Sequence, residues 1–369
     1  MTKAYLDTAC KGIPPPGAVA AIEEFCRFVR ESPLRSVTEE TIVVLEHMTR
    51  ARRTAARLIG ADEDEIALVE STQQGVNAAA DLLDLAPGEN VLASDVEFLG
   101  TVLPWRGPGL RLVPHRAGRP EVEDFAAAID AGTRAIVVSS VQEVTGALVD
   151  LPALSALCQE RGLWLIADGA QHVGPLPFDV RETPVDVLAV GGHKWLCCPF
   201  GLGFLYVRRG ILEEREPRRR GYFAFEPPPD GWSAYLEDPE RTAVDELGVT
   251  RTARGLEPGG TGPYIAAAAL AACLEALLDL PDRHQRVREL VALLVDGLDR
   301  RGLDVVSPRD RPSGIVVFDA PDAHGLVDRM AAAGVAVSLR RTAGIGGIRV
   351  SPYFYNDESD VERLLACIT

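Results

Sequence analysis

A lysine and an aspartate, each at the end of a short apolar segment, carry the chemistry this chain can do. Trp164-Leu165-Ile166-Ala167-Asp168-Gly169-Ala170-Gln171-His172 stops at a carboxylate and an amide, and residues 185–190 run into Gly191-Gly192-His193-Lys194-Trp195. Each segment reads as a buried parallel strand that delivers polar side chains at its carboxyl end. An ammonium in such a place is costly unless it is paired or neutralised. A covalent Schiff base neutralises it, so Lys194 is a candidate to hold an aldehyde cofactor. Asp168 is then the carboxylate that keeps a pyridinium nitrogen protonated, so that the ring accepts electrons. The bland alternative makes Asp168 a strand-end cap and Lys194 a surface lysine.

Strands are expected at residues 65–69, 90–93, 134–140, 164–168, 185–190 and 204–207, with helices at 18–30, 41–58, 150–162 and 263–278. The recurring strand, helix, strand order implies parallel pairing with right-handed crossovers. From Pro281 onward the pattern changes to strands at 314–318, 335–339 and 347–351 among helices at 323–333 and 358–368. Residues 208–220 read as a solvated charged face. The Pro-rich stretch 226–232 reads as a loop that lids the substrate, with Tyr222, Phe223 and Phe225 as its inner wall.

Ala167-Asp168-Gly169-Ala170-Gln171 together with Gly192-His193-Lys194-Trp195 resembles the class-V aminotransferase group of pyridoxal-phosphate (PLP) enzymes. That group includes cysteine desulfurases, isopenicillin-N-epimerase-like proteins, kynureninases and C–S lyases, and the resemblance runs over nearly the whole chain. It implies the α/β PLP-dependent transferase fold, a large domain with a mostly parallel central sheet flanked by helices plus a small α+β carboxy-terminal domain. The expected division is an arm over residues 1–17, the cofactor-binding domain over 18–262, and an interdomain helix with the small domain over 263–369.

Glu70-Ser71-Thr72-Gln73 leads a strand into an Ala-rich helix, and the free N–H groups of a helix start bind anions. The resemblance places the cofactor phosphate at Thr72 and Gln73, although the family more often has a hydroxyl residue at the latter position. Phe98 stands where the desulfurases have a histidine stacked on the cofactor ring. An aromatic face can do the same work without a titratable group. Glu143 stands where those enzymes have an asparagine near the cofactor oxygen and the substrate carboxylate. A glutamate there repels a carboxylate, so it points away, serves as an acid–base group, or binds a substrate amine. By resemblance Gln171 bonds the cofactor's phenolic oxygen and His193 its phosphate, whereas Gly191 replaces a phosphate-binding serine. Thr261 is the threonine that reaches the phosphate of a neighbouring subunit's cofactor, which implies a homodimer. Arg349, on an apolar strand, can fork onto a carboxylate and matches the family's substrate-carboxylate arginine. Arg340 and Arg341, expected on the preceding loop, are the runners-up or rim charges. Thr8, Cys10 and Lys11 line the substrate entrance, or else belong to a surface arm. His172 and the pair Cys197 and Cys198 are read as packing.

The expected reaction passes from a Lys194 Schiff base to one with an amino-acid substrate, after which the freed amine acts as general base at Cα. Expulsion of a β-substituent from the resulting carbanion makes a lyase, reprotonation on the opposite face an epimerase or racemase, and protonation on the cofactor an aminotransferase. A persulfide-forming desulfurase needs a thiol on a mobile loop before the carboxylate arginine, and no cysteine lies between Cys273 and Arg349. A C–S or β-eliminating, desulfurase-like lyase is therefore the favoured reading. The epimerase and aminotransferase remain as alternatives, and a PLP-fold scaffold without activity as a third.

Bulk properties agree with this. A chain of 369 residues exceeds one ordinary core, and 47% apolar with 25% charged residues supports folding. The net charge of −16, from 54 acidic against 38 basic residues, speaks against nucleic-acid or anionic-membrane partners. Seven cysteines, an odd number without CxxC spacing, disfavour disulfides and zinc and fit a cytoplasmic protein. No signal peptide and no membrane-spanning apolar run is expected. A dinucleotide-binding reading fails because the glycines at 344–347 come late and lack the strand-turn-helix setting.

Overall fold

Seven apolar segments pair into one sheet in the computed structural model, which describes residues 3–32, 37–107, 109–242, 247–257 and 262–368. They are β1 (Ile66–Val69), β2 (Asn90–Ser94), β3 (Leu110–Val113), β4 (Thr133–Ser139), β5 (Trp164–Asp168), β6 (Val187–Gly191) and β7 (Gly203–Val207). Their order across the sheet is β1-β7-β6-β5-β4-β2-β3. β7 runs antiparallel to both of its neighbours and all other pairs are parallel. Because β7 reverses direction twice over, β1 runs the same way as β6. The carboxyl ends of β1, β4, β5 and β6 therefore share one edge, and the site is built there.

Side chains alternate between two cores. Leu68, Leu92, Ile136, Leu165 and Leu188 face one, and Val69, Val91, Val137, Ile166 and Ala189 face the other. With both faces covered, the strands read as unbroken apolar runs. β3 has no such run, since Arg111 and Leu112 are exposed on the sheet edge, and its period was not legible. Helix α3 (Thr72–Leu83) lies close on β6, where a Cβ on Gly75 would come within 2.9 Å of Ala189 Cβ. Helix α4 (Leu151–Arg161) shows how sequence sets the ends: Asp150 accepts from Ala153 N, and Gly162 closes it in the left-handed region.

Residues 304–350 form a second, wholly antiparallel sheet, β10-β11-β9-β8, from β8 (Asp304–Val305), β9 (Val316–Asp319), β10 (Ser338–Thr342) and β11 (Ile345–Val350). Three expectations need correction. The strand expected at 335–339 is two, because Val335–Ala336 leaves the sheet to pair in parallel with Ala4–Tyr5. Arg340 and Arg341 lie on β10 and not on a loop. Within the charged stretch, Arg209–Glu214 is a helix that buries Ile211 and Leu212, two apolar residues outvoted by their charged neighbours.

The arm is not a surface feature. Leu6, Thr8 and Ala9 are buried, Leu6 N donates to Ala336 O, and Ser351 N donates back to Leu6 O. Further on, Gly12 N donates to His193 O at 2.8 Å. A side chain on Gly12 would run into the Lys194 carbonyl, so only glycine lets the arm cross there. Among the described residues no single helix is long and apolar enough to cross a membrane.

One buried ion pair locks the start of the sheet. Glu257 Oε1 accepts from Arg52 Nη1 at 2.8 Å, on helix α2 (Val37–Ile59), and from Leu68 N at 3.0 Å on β1. Glu257→Ala leaves the guanidinium uncompensated and is expected to cost about 3–5 kcal/mol in urea unfolding. A loss below about 1 kcal/mol would show that the pair is dispensable.

Candidate active site

Asp168 ends β5 beside Ser139 of β4 and Ala189 of β6. Its Oδ2 accepts from Thr101 Oγ1 at 2.8 Å and its Oδ1 from Ala170 N at 2.9 Å. Burial pushes its pKa up, against the opposing pull of Lys194 and these two bonds. Lys194 follows β6, and burial drives its pKa down while Asp168 and Glu143 draw it back up. No carboxylate among the described residues lies within ion-pairing distance of its amine. What stands over it is the Phe98 ring, its centroid 5.6 Å from Nζ. That ring is 40% exposed, a flat apolar surface open to the space above a buried amine and carboxylate.

A second group of residues suits an anion. Ser71 caps α3 by accepting from Gln74 N at 3.2 Å, which leaves the N–H groups of Thr72 and Gln73 without helical acceptors. A Cβ on Gly191 would come 2.9 Å from Thr72 Oγ1 and 3.5 Å from His193 Nδ1. Thr72, His193 and Gly191 thus converge, and the Thr72 hydroxyl fills the room a residue 191 side chain would need. The hydroxyl absent from 191 is offered by the helix instead. His193 stacks on Phe200, and burial followed by the Lys194 charge lowers its pKa, so the ring is neutral near pH 7. Gln73 reaches the neighbourhood of Phe98, its Oε1 3.6 Å from where a Gly100 Cβ would sit.

The third group differs most from expectation. Arg349 is fully buried on β11 and already holds carboxylates. Its Nη1 donates to Glu143 Oε2 at 3.0 Å and to the Glu143 carbonyl, and its Nη2 donates to Cys10 Sγ at 3.0 Å, to Ser338 Oγ and to Asp7 Oδ1 at 3.5 Å. Only Nε is left without an acceptor. Arg340 donates to the same Cys10 sulfur at 3.0 Å and has no carboxylate partner among the described residues. Arg341 is a rim charge paired with Asp319. Gln171 is likewise engaged, donating to Ala9 O at 3.0 Å and accepting from Trp195 Nε1 at 2.6 Å, so one amide N–H remains for a ligand.

Of the entrance residues, Cys10 reaches the arginines, Thr8 bonds Tyr355, and Lys11 is exposed. Thr261 lies outside the described residues. Cys197 and Cys198 are buried with their thiols pushed up, that of Cys197 to about 12, as packing residues would be. Sequence reasoning missed Thr101, Asp7, Ser338 and Glu97, whose roles depend on contacts between distant segments. Glu97 accepts from Ser139 N, Ser139 Oγ and Gln142 Nε2, and burial raises its carboxyl to about 7.

A flat, electron-accepting ring with an aldehyde at one end and a phosphate at the other fits these parts. In such a fit Lys194 would meet the aldehyde, Asp168 a ring nitrogen, Phe98 the ring face, and the α3 start with Thr72 and His193 the phosphate.

The profile of the family described as Aminotransferase class-V matches residues 4–364. A cysteine desulfurase of Salmonella dublin is 31% identical over 229 residues, covering 59% of this chain and 56% of its own length. The cysteine desulfurase of Salmonella typhimurium matches to the same extent. The alignments thus span about half the length of these curated relatives. Among solved structures, the cystine C–S lyase C-DES, in complex with its reaction product cysteine persulfide, superposes with a TM-score of 0.88 at 22% identity, over 100% of this chain and 97% of that one. The cysteine desulfurase CsdA from Escherichia coli gives 0.84 at 25% identity, over 99% and 94%.

The raised Glu97 carboxyl has a signed consequence. Between an ordinary 4.5 and about 7 the folded chain holds a proton that the unfolded chain lacks, so this group's contribution to stability falls as pH rises through that window. In urea titrations from pH 4.5 to 7.5, Glu97→Gln is expected to lose that downward component. Parallel declines in the two proteins would show that Glu97 titrates normally.

Proposed function

The chain belongs to the class-V aminotransferase family, and from that premise we propose that it is a PLP-dependent enzyme acting on an amino acid, with a C–S or β-eliminating, desulfurase-like outcome. The observation that carries this reading is the meeting of a half-buried Lys194 and a buried Asp168 at neighbouring strand ends, with the exposed Phe98 ring over the amine. When bound, PLP condenses with an amine and draws electron density from the substrate's Cα.

The chain's own groups then have separable tasks. Asp168, fixed by Thr101 Oγ1 and Ala170 N, would keep a proton on the cofactor's ring nitrogen. Lys194, whose burial favours the neutral amine, takes the proton from Cα. The N–H groups of Thr72 and Gln73, the Thr72 hydroxyl and His193 hold the phosphate, and the remaining Gln171 N–H is offered to the ring oxygen. Phe98 covers the ring and keeps water from it. Elimination is favoured over sulfur transfer because no cysteine lies between Cys273 and Arg349, and Cys197 and Cys198 are buried and protonated.

A persulfide-forming desulfurase is the second reading, favoured by one observation. The Cys10 sulfur lies 3.0 Å from a guanidinium nitrogen of both Arg340 and Arg349, which puts a thiol beside the expected substrate-carboxylate arginine. A homodimer in the cytoplasm completes the proposal. Its support is the Phe200 ring, 70% exposed while stacked on His193, an apolar rim that a second copy would cover.

Borohydride reduction of the PLP-loaded protein followed by peptide mapping is expected to find a pyridoxyl group on Lys194, and Lys194→Ala to carry none. With cystine as the probe, the parent protein should release pyruvate and ammonia at rates Cys10→Ala leaves within about twofold, whereas a loss of 100-fold or more would favour the thiol-dependent reading. An unmodified Lys194 after reduction would remove the whole proposal.

A further inference from the structure

Arg349 is the residue expected to hold the substrate's carboxylate, and the structure shows it holding one that belongs to the chain. Glu143 Oε2 lies 3.0 Å from Nη1, and Asp7 Oδ1 lies 3.5 Å from Nη2. One cation thus faces two anions. The Glu143 side chain is 19% exposed against 1% for Arg349, so the carboxylate is the accessible member of the pair. Its charge also reaches Lys194 and Asp168, which places it beside the reacting groups.

We propose that Glu143 is an internal stand-in for the substrate carboxylate and thereby the residue that sets ligand selectivity at this site. A ligand carboxylate must displace Glu143 from Arg349, while an amine without a carboxylate need not. Exchanging one carboxylate for another on the same guanidinium returns little, because the ligand's ion pair replaces one that is already made. With a neutral amide at 143, Arg349 loses its nearer carboxylate and keeps the 143 carbonyl on Nη1 and Cys10, Ser338 and the more distant Asp7 on Nη2, and a buried guanidinium whose one remaining carboxylate is 3.5 Å away favours a carboxylate ligand. The site as built therefore discriminates weakly between an amino acid and the corresponding amine, and selection must come from the rest of the substrate.

This inference rests on the PLP reading above, and its test separates the two. Glycine and methylamine serve as probes, titrated into the PLP-loaded protein and followed by the cofactor's absorbance and by calorimetry. Relative to the parent, Glu143→Gln is expected to bind glycine at least about tenfold more tightly, with methylamine changed by less than about twofold. The gain is expected to vanish in the Glu143→Gln, Arg349→Gln double variant, which distinguishes release of Arg349 from a general loss of negative charge. Glu143→Asn provides the same change should the glutamine variant misfold. Unchanged or weaker glycine binding in a folded, PLP-loaded amide variant would overturn the role of Glu143, as would a gain that survives in the double variant. A parent protein that takes up no PLP would instead sink the reading on which the inference rests.

Discussion

Withdrawal of one carboxylate and one amine from bulk water is the condition on which the rest of this structure depends. Lys194 and Asp168 are both displaced from their ordinary protonation behaviour first by burial, and only then by each other. Holding them unpaired in a dry place requires a sheet covered on both faces and a shared edge where several strands end together. The reversed β7 brings the start of α3 to that edge, so the anion-binding helix end and the two charges arise from one topological arrangement.

At three positions the site departs from the residues that the family resemblance implies. The hydroxyl missing at Gly191 is matched by Thr72, whose oxygen fills the adjoining space. Phe98 retains a flat face and gives up a titratable group. Glu143 goes further, because it alters the charge seen by the buried arginine on β11. Neutral exchanges of the first kind keep the chemistry, whereas the last changes what the cavity prefers to hold.

Much of this was legible in the chain. The β5 bounds, Trp164–Asp168, coincide with the expected segment because the apolar run ends at a charged residue and a glycine. Edge strand β3 was not legible, since half of its residues face water and leave no apolar run. Lys194, Asp168 and Phe98 could be placed together because each follows its own strand end. The contact of Arg349 with Asp7 was not legible, because the two lie 342 positions apart, and Ser338 meets Arg349 only through the register of the β10–β11 pair. The buried arm was equally hidden. Its Gly and Pro content signals irregular backbone, but its burial follows from pairing with Val335–Ala336, a contact more than 300 residues away in sequence.

That arm makes the two ends of the polypeptide mechanically continuous with the lysine. Ala4–Tyr5 is laid along Val335–Ala336, Asp7 bridges to Ser351, and Gly12 is bonded to the carbonyl just before Lys194. The backbone position of Lys194 is thereby tied, through residues 4–12, to the strand at 335–336 and to Ser351, a link separate from the pairing of the central sheet.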